Sequence, residues 1–296
     1  DLARLLPQFK NWYSQAGTPR VQATGVYDAA ARTYTLTLSQ SCPPTPGQPH
    51  KAPFVIPVAL GLVGLDGQAL PLQLAHWQQA EHGTRTLVLT QASETFTFIN
   101  VDQAPVPSLL RGFSAPVVLE MAYTDAELLA LLAHDTDAFN RWEAGQRLAL
   151  RRALQAIEQG GDTPLDAAYL EAMHAVLQNP ALDAAFKELV PTLPTETYIA
   201  EQLAEVDPQR VHAVREAMRA QIARQLFDDW AWAFDAHEAN GAYTPDSTSA
   251  GRRALTGLAL THLCLAAADS GDTVWPGKAY QRFKDAGNMT DRFNAL

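Results

Sequence analysis

Residues 33–38 read Thr33-Tyr34-Thr35-Leu36-Thr37-Leu38, small polar alternating with large apolar. A period of two is what a strand with one buried face requires, because successive side chains point to opposite sides of a sheet. Further along, Phe54 to Leu62 forms a second apolar run, in which Pro57 marks an edge or a bulge. Asp66-Gly67 is a hairpin-type turn into Leu70-Pro71-Leu72-Gln73-Leu74. Thr84 to Thr90, Glu94 to Ile99 and Pro116 to Tyr123 continue the series of short strands. Ser41 to Pro53, with five prolines in thirteen residues, reads as a connecting loop. Six or seven short strands over about 100 residues predict an antiparallel β-sandwich of immunoglobulin-like architecture. Before them, Pro7 suits a first helical position, with Phe9, Trp12, Tyr13 and Ala16 on one side and Gly17 and Pro19 as the stop.

The physics changes near residue 123. The first 123 residues hold 12 of the 19 prolines, and their 7 basic and 7 acidic residues cancel. Residues 124–296 hold 15 basic and 25 acidic residues, so the net charge of −10 sits there. This half predicts consecutive helices. Thr124-Asp125-Ala126-Glu127 is a capping box. A longer helix follows, carrying Phe139, Trp142, Gln146, Leu150 and Leu154 and stopped by Gly160-Gly161. Thr163-Pro164, Asn179-Pro180 and Asp207-Pro208 each pair a cap residue with a proline, and the last opens a long helix to about Ala239. Further helices are expected over Gly251 to Ala268 and Lys278 to Ala286. Without a strict repeat, the expected architecture is an all-α array or superhelix rather than a consensus solenoid.

Function classes are narrowed mostly by exclusion. An acidic chain does not present the clustered Lys and Arg that nucleic acid requires. The longest apolar stretch, Leu255 to Ala268, is too short to span a membrane. Cys42 and Cys264 are too few for a disulfide framework and read as free thiols. His237-Glu238 starts like a zinc motif, but position 241 is Gly, so the second ligand is absent. The remaining histidines (His50, His76, His82, His134, His174, His212, His262) have no ligand spacing. Asp228 and Asp229 are adjacent, so in a helix they face different ways and read as a solvated surface. Ser249 lacks the preceding glycine of a nucleophile elbow. The six tryptophans (Trp12, Trp77, Trp142, Trp230, Trp232, Trp275) are read as core or interface residues rather than stacking platforms. No catalytic, cofactor-binding or metal-ligating residue is assigned.

Several stretches carry a family resemblance: FKNWYSQAGTPRV at 9–21, YTLTLSQSCPPTP at 34–46, KAPFVIPVALGL at 51–62, VPSLLRGFSAPVVLE at 106–120, DAFNRWEAGQ at 137–146 and NMTDRFNAL at 288–296. In that order they resemble the bacterial aminopeptidase N family of gluzincin zinc metallopeptidases, also called alanyl aminopeptidases. The resemblance implies that residues 1–19 are the tail of a catalytic domain, 20–122 a β-sandwich domain, and 123–296 the first part of a truncated C-terminal helical domain. The family's His-Glu-x-x-His motif, its Gly-x-Met-Glu-Asn segment and its transition-state-stabilising Tyr have no match here. None of its catalytic residues is therefore carried over.

Residue 1 is Asp rather than Met, and the chain is expected to be a piece of a longer polypeptide. The resemblance then implies no cofactor in this chain and zinc in the full-length parent. The implied partners are an upstream catalytic domain of the same polypeptide and, in the full enzyme, peptide substrates; nucleic acid and membrane are not expected. The location is expected to be cytoplasmic. The alternative is a stand-alone sandwich and helical-array module for protein interaction.

Overall fold

The computed structural model describes residues 2–75, 82–160, 164–238 and 243–296. The chain divides into two compact units, Asp1–Arg141 and Trp142–Leu296.

The first unit opens with α1 (Leu2–Phe9) and α2 (Asn11–Ser14). Helix α1 begins earlier than the sequence predicts, so Pro7 lies inside it rather than at its first position. The two helices are tied to the chain entering the apolar strand. Trp12 Nε1 donates to Val55 O at 2.9 Å, and its ring lies 4.7 Å from that of Phe54. Gln8 Nε2 donates to Thr90 O at 2.6 Å.

Among the described residues eight strands follow: β1 (Arg20–Asp28), β2 (Thr33–Ser41), β3 (Ile56–Gly64), β4 (Ala69–Leu70), β5 (Arg85–Leu89), β6 (Ser93–Ile99), β7 (Pro105–Leu109) and β8 (Val118–Glu120). One sheet runs β6-β2-β1-β8; in the other, β3 pairs antiparallel with β4, β5 and β7. The sandwich is antiparallel as expected from the sequence, except for one strand pair. β8 pairs parallel to β1, with Arg20 opposite Val118, because it returns to the first sheet after a long crossover from β7.

Strand β2 behaves as its alternation requires, burying Tyr34, Leu36 and Leu38. They meet Val21, Ile56, Leu60, Leu87, Leu89 and Phe98 in one core. Strand β3 is buried almost throughout because the sandwich covers one face and α3 (Asp125–His134) also packs against it. Two strands escape sequence reading. β1 loses its alternation after Ala23, and β7 contains two prolines, tolerated because among the described residues it pairs only with β3.

The division between units falls inside α4 (Ala138–Gln159). In the second unit come α5 (Ala167–Gln178), α6 (Ala184–Leu189), α7 (Glu196–Ala200), α8 (Pro208–Gln225), α9 (Phe227–Ala236), α10 (Ser247–Ser270), α11 (Val274–Asp285) and α12 (Met289–Asn294). Side chains of Asp166, Asp183, Thr195, Asp207, Asp246 and Asn288 cap these helices by accepting from backbone N–H groups. The caps correct two expected starts: α5 is capped at Asp166, and α6 starts after Asp183 instead of at Asn179-Pro180. Thr163, Gly161 and Gly241 lie outside the described residues.

The long helix expected from Pro208 to Ala239 is two helices. The backbone breaks at Leu226 (φ −108°, ψ 27°), and the indole of Trp230 donates to the Ile222 carbonyl at 3.3 Å. Apolar spacing continues unbroken across the break, so periodicity alone does not register it. Helix α10 is the centre of this unit, packing against α6, α8, α9, α11 and α12. Its Gly251 allows the close approach of α6, where a Cβ would lie 2.8 Å from the Ala185 nitrogen. Gln221, buried on α8, donates to and accepts from the backbone of Leu165 at 2.6 and 2.9 Å, fixing the lead-in to α5.

Candidate functional site

Burying a charged or polar group is costly unless it is paired, so each buried one marks a place where the fold is closely specified. The first is in the sandwich unit. Arg111 and Asp135 pair at 2.8 Å with side chains 6% and 0% exposed. Arg111 Nε donates to Ser108 Oγ at 2.8 Å, and Nη1 donates to Gly83 O at 3.0 Å and Thr84 Oγ1 at 3.1 Å. Asn140 Nδ2 reaches Ser108 Oγ at 2.7 Å and Leu109 O at 2.9 Å. Gly61 leaves the space that the guanidinium fills. Leu110 and Phe113 hold left-handed backbone (φ 58° and 56°) around the 3-10 turn Arg111–Phe113 that aims the arginine inward. The Asp135 Oδ2 atom is buried without a partner among the described residues. This cluster ties β7, α3 and the start of α4 together. The guanidinium and Asp135 Oδ1 are engaged with one another, with backbone and with the Ser108 and Thr84 hydroxyls.

The second cluster corrects the sequence reading of Asp228-Asp229. Asp228 is exposed, but Asp229 is buried and accepts from Gln178 Nε2 at 2.7 Å. His174 Nδ1 lies 2.9 Å from both of its carboxylate oxygens. A buried carboxylate thus orients a half-exposed imidazole on α5, which packs on α9. Sequence separation hid this pair, since the two residues are 55 positions apart.

His262 is buried on α10, stacked on Trp230 with centroids 4.5 Å apart and planes at 15°. Its Nδ1 has no partner among the described residues. Burial, with the positive charge of Arg219, pushes its pKa down to about 4, so the ring is neutral. His237 is the C-cap of α9, its Nδ1 3.1 Å from Ala233 O. Desolvation, with Lys187 and Arg252 nearby, keeps it below the ordinary histidine range. Ser249 lies in the first turn of α10, where its N–H donates to Asp246 and its hydroxyl bonds Thr244 Oγ1. Trp12 packs on Phe54, Trp230 and Trp275 are buried, and Trp232 is exposed. His76 and Trp77 lie outside the described residues. Among the described residues no group of three or more His, Cys, Asp or Glu could hold a metal ion.

The second unit also has open clefts. One, of about 580 Å³, lies where Phe234 and Glu238 face Lys278, Arg282 and Asp285. Another, of about 650 Å³, runs past Ala250, Ala254 and Gly257 to Phe293.

The architecture is a β-sandwich of immunoglobulin-like type followed by a capped, non-repeating array of helices. The chain belongs to the family described as "Domain of unknown function (DUF3458_C) ARM repeats", which matches residues 125–296. Residues 17–122 match the companion family "Domain of unknown function (DUF3458) Ig-like fold". Its relatives are more particular. Aminopeptidase N of Escherichia coli (strain K12) is 34% identical over 98% of this chain, and that of Haemophilus influenzae is also 34% identical over 98%. Aminopeptidase N of Caulobacter vibrioides is 38% identical over 99%. The chain spans about a third of the length of each of these relatives (33%, 33% and 32%). A crystal structure of Legionella pneumophila aminopeptidase A in complex with aspartic acid superposes with a TM-score of 0.80 over 98% of this chain and 32% of its own. At 23% identity that likeness concerns the fold.

Proposed function

We propose that this chain is the non-catalytic portion of a zinc-dependent aminopeptidase N that releases N-terminal amino acids from peptides. The observation that carries the reading is 34–38% identity to aminopeptidase N along nearly the whole chain, which spans only a third of those proteins. Its partner is then a catalytic domain of the same polypeptide, and the helical part walls the cavity that peptides enter. Residues 1–19 are the tail of that catalytic domain, 20–122 the sandwich and 123–296 the first part of the helical domain. The family matches to 17–122 and 125–296 support that division. A resident zinc does not fit the described residues of this chain, which offer no three-ligand group, so no catalytic step is routed through it. Among the described residues no helix is long and apolar enough to cross a membrane. The unpaired Cys42 and Cys264 support a reducing, cytoplasmic location.

The test is hydrolysis of an alanyl chromogenic substrate by the purified 296-residue chain, with and without added zinc, beside the longer polypeptide from the same reading frame. The expected result is turnover by the longer protein alone. EDTA-sensitive turnover by the 296-residue chain would overturn the reading.

A further inference from the structure

The cleft of about 580 Å³ between α9 and α11 carries charges that the fold has not used. Lys278 and Arg282 are four residues apart on α11, hence on one face of it. Lys278 Nζ lies 4.2 Å from the centre of the Trp275 ring and 5.5 Å from that of Phe234. Among the described residues it makes no hydrogen bond or ion pair. The guanidinium of Arg282, 15% exposed, has one long ion-pair contact, Nη2 to Asp291 Oδ1 at 3.4 Å, and lies 5.8 Å from the centre of the Phe234 ring. Its Nε is buried without an acceptor. Asp291 is already engaged by Asn288, whose Nδ2 donates to it at 2.6 Å. Both cations line the cleft, and a carboxylate is the acceptor that matches an ammonium beside a guanidinium fork.

The acidic side is equally uneven. Asp285 accepts from Gln281 at 2.6 Å, whereas Glu238 has no hydrogen-bond or ion-pair partner among the described residues. Phe234 and Tyr243 supply ring surface between the charges. Opposite unspent charges flanking aromatic walls, in a volume ordinary for a small-molecule site, select a ligand that is itself zwitterionic.

We propose that this cleft binds a short peptide with both termini free, its carboxylate on Arg282 and Lys278 and its ammonium on Glu238. The proposal stands on these charges and does not rest on the assignment to an aminopeptidase. Calorimetric titration of the 296-residue chain with L-alanyl-L-phenylalanine tests it, beside the N-acetylated and C-amidated forms of the same dipeptide. The free dipeptide is expected to bind saturably, and each blocked form about tenfold or more weakly. Glu238→Gln should weaken the free dipeptide while leaving the N-acetyl form unchanged. Lys278→Gln, at an exposed position, should weaken the free dipeptide and the N-acetyl form alike, and Arg282→Gln more so. Absence of saturable binding, equal affinity for the blocked forms, or indifference to Glu238→Gln and Lys278→Gln would overturn it.

Discussion

Arg111 and His262 show what a single residue decides. The Arg111–Asp135 pair is closed to solvent and hydrogen-bonded on several sides, so removing one partner leaves an uncompensated buried charge. Asp135→Ala is expected to destabilise the sandwich unit by roughly 3–5 kcal/mol, measured by urea unfolding. A loss below about 1 kcal/mol would mean that water already reaches the arginine. His262 has a folded pKa of about 4 against an ordinary 6.5. The unfolded chain therefore binds a proton that the folded chain refuses. Stability should fall as the pH drops from 6.5 to 4, by on the order of 3 kcal/mol, and level off below. His262→Phe keeps a ring against Trp230 and should flatten that dependence in unfolding curves taken across the window; an unchanged slope would assign it to other groups. Neither residue stands out in the sequence. Arg111 finds its acid 24 positions on, and a histidine in an apolar helix looks the same whether or not it is partnered.

At the scale of elements, legibility followed local pattern. β2 was plain because Leu36 and Leu38 face one core while the threonines between them face outward. β1 was missed because Gly25 and Val26 are both exposed, which removes the alternation in its second half. The parallel pairing of β8 depends on the route of a crossover, which no window of residues encodes. Helix starts were read where proline and cap coincide, as at Asp207-Pro208, and misplaced at Asn179-Pro180, where the cap actually used is Asp183. Asp207 takes the N–H groups of Gln209 and Arg210 at 3.0 and 3.1 Å. Asp207→Ala should therefore cost about 1 kcal/mol in thermal unfolding, and Asp207→Asn much less. Equal losses in both variants would point to the charge rather than the cap. The cation pair on α11 was not read from the sequence, because the rings beneath it come partly from α9, 44 positions before Lys278 for Phe234, beyond the reach of a pattern.

At the scale of the molecule, composition said more than any motif. The prolines crowd into the sandwich half, and the net charge of −10 is confined to residues 124–296. Such a surface repels phosphate backbones, so the chain should leave duplex DNA unshifted in a mobility assay at ~150 mM salt; a salt-sensitive shift would contradict this. Sequence reading placed the change of architecture near residue 123, and the compact sandwich unit runs to Arg141. The physical cause is the Arg111 cluster, which draws α3 and Asn140 onto β7.

The central claim is that this polypeptide supplies scaffold and leaves metal chemistry to residues elsewhere. Elemental mass spectrometry of the purified 296-residue chain, loaded with zinc and then dialysed, tests it most directly. Far less than one zinc per chain is expected; a single equivalent that survives dialysis and is removed only by a strong chelator would contradict the claim.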